Sequence, residues 1–442
     1  MNVLITGGRV IDPANGVDQT QDLFIRDGKI AGFDDTTREI AVDKTLDARG
    51  LVVCPGLVDL QARLREPGEE HKATLDTELV AAVAGGITTI CCPPDTDPVI
   101  DTPAMVQMIR QRAEEIGLTQ VLPVGALTRS LAGEQLTDMA ALRDAGCVAL
   151  GNAENTVDNT LVMRRAMQYA TTFDLTVFLN ALDPWLKGNG CVHEGEVSTR
   201  LGLPVIPEAA ETVALARELA LIETTGARGH ITQLSCARSV TQLADAKKRD
   251  LAVTAAVSDH HLHLTEQDIG EFDTRCHVIP PLRSLTDRDG LRQGLTDCVI
   301  EAICSDHQPH GFDAKLAPFS ESAPGIAGLE TLLSLTLKLV DEDVLKLPKA
   351  VAALTSNPAR ILGIDTGQLS IGARADLCVF DPNKQWQVDA EKLLSNGTNT
   401  PFDGWSLRGG VAATMGGGRT VYVNEAVAGA TSFDQCSEAV RN

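Results

Sequence analysis

The sequence predicts an α/β fold, namely a (β/α)8 TIM-type barrel with a small β-domain built from both chain ends. Two observations lead to this prediction. Apolar runs of five to nine residues recur through the middle of the chain, and helical periodicity usually follows them. Both ends instead contain short strand-like segments and turns. Strands that alternate with helices form a parallel sheet, and eight such strands close a barrel.

The β-domain is predicted to comprise residues 1–52 plus 365–442. Asp27-Gly28 is a hairpin signal in the first part, and Gly416–Gly418 is a turn in the second. Because the two parts share this character, we expect them to pair into one domain. The strand-like runs are Val3–Thr6, Leu23–Arg26, Lys29–Phe33, Ala375–Phe380 and Thr420–Val423.

The barrel is predicted to span residues 53–364, with its first strand beginning slightly earlier. The eight predicted strands are 51–59, 87–92, 120–125, 147–151, 175–180, 228–234, 251–257 and 299–305. Helical stretches among them are 74–85, 103–117, 207–225, 238–249 and 286–296. The same alternation also fits a doubly wound open sheet, which remains the structural alternative.

Composition excludes several classes of function. The net charge is −22 and the pI is about 4.8, so the surface repels phosphate backbones and anionic membranes, and we expect no nucleic-acid or membrane partner. No apolar run reaches the roughly 18 residues of a membrane span. The eleven cysteines lack C-x-x-C spacing. Together with a start that lacks signal-peptide character, this predicts a cytoplasmic protein with reduced thiols.

The carboxyl ends of barrel strands are where chemistry is expected. After the first strand the chain reads DLQARLREPG, residues 59–68, in the frame of the metal-binding pattern D-x-H-x-H. Both histidine positions are changed, to Gln61 and Arg63. Three other strand ends also carry an amide or an aliphatic side chain where a metal hydrolase would carry His, Asp or Glu, namely Asn152-Ala153, Asn180 and Gln233.

Several motifs, in their order and spacing, resemble the dihydroorotase family of the amidohydrolase superfamily. The resemblance implies a barrel with a β-domain from both ends, and an activity that opens or closes the dihydroorotate ring with one or two zinc ions. The motifs are LREPG (64–68), GGITTICCPPDTDPVID (85–101), HEGEVSTRLGLPVIP (193–207), PPLRS (280–284), SDHQPH (305–310), GIAGLET (325–331) and NTPFDGW (399–405).

The same resemblance assigns roles to positions, and most metal positions have lost their ligands. The changed metal positions are Gln61, Arg63, Asn152, Ala153, Asn180 and Gln233. Asp306 remains, as a vestige of the family's metal ligand and proton shuttle. Arg65 and His310 match residues that bind the substrate carboxylate. Asp95 and Ile279 replace asparagines and depart from the family.

These changes predict a protein without a metal cofactor. Zinc needs imidazole, thiolate or carboxylate ligands, and an arginine offers no lone pair. We therefore expect Arg63 to pair with Asp306 across the barrel mouth, where metal charge stands in the family. Zinc in a rebuilt site around Asp306, His230 and His260 is the alternative. We expect His230 to be structural because one ligand makes no metal site. We expect the same of the cluster His260-His261-x-His263, because adjacent strand residues point to opposite faces.

The resemblance also supplies a candidate role. In some bacteria a dihydroorotase-like chain, active or inactive, assembles with the catalytic chain of aspartate carbamoyltransferase, the preceding enzyme of pyrimidine synthesis. We therefore expect a non-catalytic structural subunit of that complex, with homodimer contacts. The alternative is an active dihydroorotase or a related zinc-dependent cyclic-amide hydrolase. Metal-free binding of a carbamoyl-aspartate-like ligand is a third possibility, which the negative charge of Asp95 disfavours.

Overall fold

The computed structural model of the chain describes residues 2–34 and 42–424. Within them the strands form two sheets of eight and one of two. The strands are β1 Asn2–Asp12, β2 Val17–Arg26, β3 Lys29–Phe33, β4 Lys44–Asp47, β5 Val52–Pro55, β6 Leu57–Asp59, β7 Ile87–Cys92, β8 Gln120–Ala126, β9 Ala149–Gly151, β10 Thr176–Leu179, β11 Val192–His193, β12 Val205–Ile206, β13 Gly229–Ile231, β14 Val253–Ser258, β15 Ala302–Cys304, β16 Leu377–Gln387, β17 Ser406–Gly416 and β18 Arg419–Val423.

The five helices that the sequence predicts are confirmed to within one residue at each end, as α1, α2, α7, α8 and α9. The others were not singled out by the periodicity. The α-helices are α1 Leu75–Ala84, α2 Pro103–Ile116, α3 Met139–Ala145, α4 Thr160–Thr172, α5 Pro184–Lys187, α6 Glu196–Leu201, α7 Glu208–Thr225, α8 Ala237–Lys248, α9 Leu285–Thr296, α10 Leu332–Asp341, α11 Leu347–Leu354 and α12 Ser356–Leu362.

The predicted barrel is confirmed. Its strands pair in the order β6-β7-β8-β9-β10-β13-β14-β15, and every pair is parallel. The first and last strands meet just beyond their carboxyl ends, where Ala62 and His307 form a bridge and Arg63 N donates to His307 O at 2.9 Å. This closure excludes the doubly wound alternative. It also brings the loops after strands β6 and β15 side by side.

The second sheet is built from both chain ends, as predicted. Strands β1 to β5 supply one part, and β16 to β18 supply the other, in the order β18-β17-β16-β5-β1-β2-β3 with β4 beside β1. The hairpin signals are confirmed, since Asp27, Gly28, Gly417 and Gly418 all have positive φ. The predicted domain limits remain predictions, and residues 425–442 lie outside the described part.

The apolar run 51–59 was predicted to be one barrel strand, and this was wrong. It contains two strands, because β5 pairs with β1 and β16 in the terminal sheet while β6 pairs with β7 in the barrel. Both halves are fully apolar because each lies in a core, so hydrophobicity does not reveal the crossing. Gly56 marks it, because a Cβ there would lie 2.1 Å from Thr88 Oγ1.

A buried polar network fixes the loop after β15 against the C-terminal segment. Glu78 accepts hydrogen bonds from His307 Nε2 and Ser395 Oγ, both at 2.7 Å. Asn399 Nδ2 donates to Gln308 O at 2.9 Å, and His310 N donates to Asn399 Oδ1 at 2.8 Å. These bonds hold the backbone that follows Asp306 at the barrel mouth.

Candidate functional site

Arg63 occupies the centre of the barrel mouth and contacts three carboxylates. Its Nε lies 2.8 Å from Asp95 Oδ2, its Nη2 lies 3.0 Å from Glu154 Oε1, and its Nη1 lies 3.5 Å from Asp306 Oδ1. The side chain is only 5% exposed. The predicted contact with Asp306 is thereby confirmed, although it is the longest of the three.

Glu154 is a site residue that sequence reasoning missed. The family pattern directed attention to Asn152 and Ala153, neither of which carries a carboxylate. Ala153 adopts a left-handed conformation with φ of 47°, and the next side chain reaches Arg63. The available signal was an acidic residue in the loop that directly follows β9. Asp95, expected to face a substrate carboxylate, instead binds Arg63.

Burial and charge set the protonation of this cluster. Burial alone would favour a neutral Arg63, but Asp95, Glu154 and Asp306 outweigh it and raise its pKa above the ordinary value. Burial raises the pKa of Asp306 to about 8, which the positive charge of Arg63 only partly opposes. Asp306 is therefore mostly protonated at neutral pH. Gln61 Nε2 donates to its Oδ1 at 2.9 Å.

The residues at the positions that the family resemblance assigns to metal do not fit zinc. Gln61 is bound to Asp306, and Asn152 Oδ1 accepts from Thr128 N at 3.2 Å and Thr128 Oγ1 at 3.0 Å. Asn180 and Gln233 present amides, which are poor zinc ligands. In the described ranges, no group of three or more His, Cys, Asp or Glu side chains is arranged to hold a metal ion.

The positions that the family resemblance assigns to substrate binding are engaged with the protein itself. Arg65 Nη1 lies 2.9 Å from Glu69 Oε2, and Arg65 Nη2 lies 3.3 Å from His310 Nε2. Burial and the neighbouring Arg65 lower the pKa of His310 to about 3, so its ring is neutral. Ile279 is buried in an apolar cluster with Leu182, Ile206 and Ala210.

Little space remains between these side chains. The cavity lined by Gln61, Glu154, Asn180 and Gln233 has a volume of about 20 Å³. A second cavity beside Arg63 and Asp95 has a volume of about 10 Å³. Volumes of this size hold about one water molecule each, whereas small-molecule sites usually span roughly 300–1,000 Å³.

The histidines near strands β13 and β14 are buried, and their structural role remains a prediction. His230 is buried against Phe178, and its Nδ1 lies 2.9 Å from Thr254 Oγ1. His260 and His261 lie in a 3-10 helix, Asp259–Leu262, so the strand geometry assumed for them was wrong. Burial lowers the pKa of both His230 and His260 to about 3, and their rings are neutral.

Comparison with known proteins agrees with the fold and the motifs. Residues 50–239 match the family model described as Dihydro-orotase-like, and residues 196–422 match that described as Amidohydrolase family. The "Dihydroorotase-like protein" of Pseudomonas putida is 47% identical over 94% of this chain and 98% of its own. The "Dihydroorotase" of Geobacter metallireducens is 42% identical over 96% of this chain and 100% of its own.

Solved structures show the same fold at much lower identity. The L-hydantoinase (dihydropyrimidinase) from Arthrobacter aurescens superposes with a TM-score of 0.85 at 23% identity, covering 95% of each chain. That likeness concerns the architecture of barrel and β-domain alone. The curated relatives are far more similar in sequence and match nearly end to end. The chain therefore belongs to the dihydroorotase-like family of the amidohydrolase superfamily.

Proposed function

We propose that this protein is a non-catalytic dihydroorotase homologue in pyrimidine biosynthesis, acting in the cytoplasm as a structural subunit of an aspartate carbamoyltransferase complex. One observation carries the proposal. A buried arginine, Arg63, stands where the family has a metal-binding histidine, and it is bound by Asp95 and Glu154 at 2.8 and 3.0 Å. A guanidinium held in this way replaces metal charge and does not bind metal.

The chemistry of the mouth supports the absence of catalysis. The guanidinium of Arg63 competes with zinc for Asp95 and Glu154, which it already binds at 2.8 and 3.0 Å. Burial raises the pKa of Asp306 to about 8, so its carboxyl is mostly protonated at neutral pH, whereas a carboxyl must be ionised to bind a metal. A cavity of about 20 Å³ is also too small for a cyclic amide.

The role as a structural subunit comes from the family resemblance. Some bacteria assemble a dihydroorotase-like chain, active or inactive, with the catalytic chain of the transferase. This chain has lost the family's ligands while keeping both sheets, the closed barrel and the polar network around Glu78. Such a fold can still bind a partner protein through its surface. With a net charge of −22 it suits a partner with basic patches, and assembly should weaken as salt increases.

The test is co-expression with the transferase chain of the same organism, followed by size-exclusion chromatography and a transferase assay. We expect a joint peak at micromolar concentration and transferase activity that depends on this chain. The variant Asp306→Asn is the matched control, because a structural subunit should assemble equally well without that carboxylate. Separate elution, with transferase activity indifferent to this chain, would contradict the scaffold role.

The second candidate is an active cyclic-amide hydrolase with a remodelled mononuclear site. Two observations favour it: Asp306 is retained, and His260 is buried with neither ring nitrogen hydrogen-bonded within the described part of the chain. An assay of dihydroorotate ring opening with added zinc separates the two candidates. Turnover that Asp306→Asn abolishes would favour the hydrolase, and no turnover is expected from the structural subunit.

A further inference from the structure

A cavity lies between the terminal sheet and the outside of the barrel. One wall is formed by strands β16, β17 and β18, and the other by helix α10 and the end of α1. Its volume is about 180 Å³, against about 20 Å³ for the larger cavity at the mouth, with which it shares no lining residue. An engineered cavity of about 150 Å³ binds benzene, so this one has room for a ligand of about six to eight heavy atoms.

Aromatic side chains are concentrated at this cavity. The sequence contains only three tryptophans and two tyrosines, and both Trp386 and Tyr422 line the cavity. The indole Nε1 of Trp386 donates to Ser334 Oγ at 3.0 Å and to Gly409 O at 3.1 Å, which fixes the ring in place. The faces of such rings carry partial negative charge and attract cations.

A carboxylate supplies negative charge to the same cavity. Glu330 lines it, and Glu330 Oε1 accepts from Leu394 N at 2.8 Å and from Ser395 N at 3.1 Å. Within residues 2–34 and 42–424, the other oxygen, Oε2, accepts no hydrogen bond. The main chain thus fixes this carboxylate through one oxygen, and the second oxygen can bind a ligand.

The charged groups around the cavity favour a cation at Glu330. Burial and, less strongly, the charge of Glu78 on α1 raise the pKa of Glu330 to about 7, which two backbone N–H groups only partly oppose. Burial raises the pKa of Tyr422 to about 12, and the charge of Glu330 adds to this shift, so the two groups lie within electrostatic reach of each other. Lys384 on β16 also lines the cavity and adds one positive charge. A cation beside Glu330 would stabilise its ionised form.

We propose that this cavity binds a small organic ammonium ion, whose charge lies between Glu330 Oε2 and the rings of Trp386 and Tyr422. Aromatic rings around a cation are the means by which proteins recognise alkylated ammonium groups. The alkyl groups of the ion would pack against Leu333 and Val411, which also line the cavity. The net charge of −22 attracts cations to the protein as a whole. The inference concerns a separate cavity and does not depend on the proposed function.

The experiment is a titration of the full-length protein with choline chloride at pH 8, followed by tryptophan fluorescence. Sodium chloride is exchanged for choline chloride, so that the ionic strength stays constant. The matched ligand is 3,3-dimethyl-1-butanol, which has the shape of choline but no charge. We expect choline to saturate the signal with a dissociation constant on the order of 1 mM. The neutral alcohol should bind at least about tenfold more weakly.

Three variants locate the bound ion. Glu330→Gln keeps an oxygen that can accept from Leu394 N and Ser395 N, and it should weaken choline binding at least about tenfold because the charge is gone. Trp386→Phe keeps a ring but removes the indole that reports binding, so the fluorescence change should disappear. Trp185→Phe is the matched control, because Trp185 is 83% exposed on α5 and does not line the cavity, and it should keep the fluorescence change.

The pH dependence of binding provides an independent readout. Because the ionised form of Glu330 attracts the cation, raising the pH from 6 to 8 should tighten choline binding roughly tenfold in the wild type and leave Glu330→Gln unchanged. Choline that does not saturate the signal by about 50 mM would overturn the proposal. So would equal binding of choline and the neutral alcohol, or a Glu330→Gln variant that binds choline like the wild type. A fluorescence change that persists in Trp386→Phe would place the ion elsewhere and also overturn it.

Discussion

Replacing Arg63 by alanine should destabilise the fold far more than removing an ordinary ion pair. Arg63 is 5% exposed, and its closest partners, Asp95 and Glu154, are 23% and 26% exposed. Each contact, with charge centres about 4 Å apart, gives roughly 4 kcal/mol at an effective dielectric constant near 20. Subtracting several kcal/mol for desolvation of the guanidinium leaves a net loss of about 3–4 kcal/mol.

Urea unfolding followed by circular dichroism measures this loss. Arg249→Ala is the matched control, since Arg249 and Glu223 form an ion pair at 2.9 Å whose side chains are 52% and 47% exposed. That control should cost at most about 1 kcal/mol. The triple variant Arg63→Met, Asp95→Asn, Glu154→Gln should regain most of the stability, because no charge is left unpaired.

Two results would refute the reasoning about Arg63. The first is a loss for Arg63→Ala that lies within 1 kcal/mol of the control's loss, measured at equal m-values. The second is a triple variant less stable than Arg63→Ala alone. Either result would mean that Asp95 and Glu154 do not depend on the guanidinium, and that Arg63 does not stand in for metal charge.

Two further predictions concern single residues of the mouth. Burial raises the folded-state pKa of Asp306 to about 8, so the folded protein holds a proton that the unfolded chain releases near pH 4. The tighter proton binding stabilises the fold, and this contribution is lost as pH rises through 8. The free energy of unfolding should fall by about 2 kcal/mol between pH 6 and 8, as measured by urea titration. Asp306→Asn keeps the acceptor oxygen and should not show this fall. An identical decline in both proteins would contradict the prediction. Ala153→Gly should stabilise the fold by about 0.5–1 kcal/mol in thermal melts because it relieves a left-handed φ, and a lowered melting temperature would show that this φ carries no strain.

Much of the fold was predictable because local patterns and global packing agree. Strand β7, with six consecutive buried residues, was predicted with its observed bounds, as was β3 next to its Asp27-Gly28 turn. The crossing at Gly56 was not predictable from hydrophobicity, because the strands on both sides of it are buried. Strand β17 was missed, although it lies between strands that were found.

The sequence predicted the part of the site that depends on Arg63 alone. The pairing of Arg63 with Asp306 follows from adjacent strand ends, whereas its shorter bonds to Asp95 and Glu154 depend on loop conformation. The positive φ of Ala153 turns the chain so that the following side chain reaches Arg63. No residue type in the sequence indicates a positive φ at this position. The protonation of Asp306 was equally out of reach, since it depends on complete burial at the barrel's closure.

The most direct test of the central claim is the metal content of the purified full-length protein. Elemental analysis for zinc, manganese, cobalt and iron should follow extensive dialysis without chelator, together with an active dihydroorotase treated identically. Because Arg63 occupies the barrel mouth and Gln61, Asn180 and Gln233 replace ligands, the account predicts well under one metal ion per chain. A stoichiometric ion that survives dialysis, and that is lost on Asp306→Asn substitution, would contradict it.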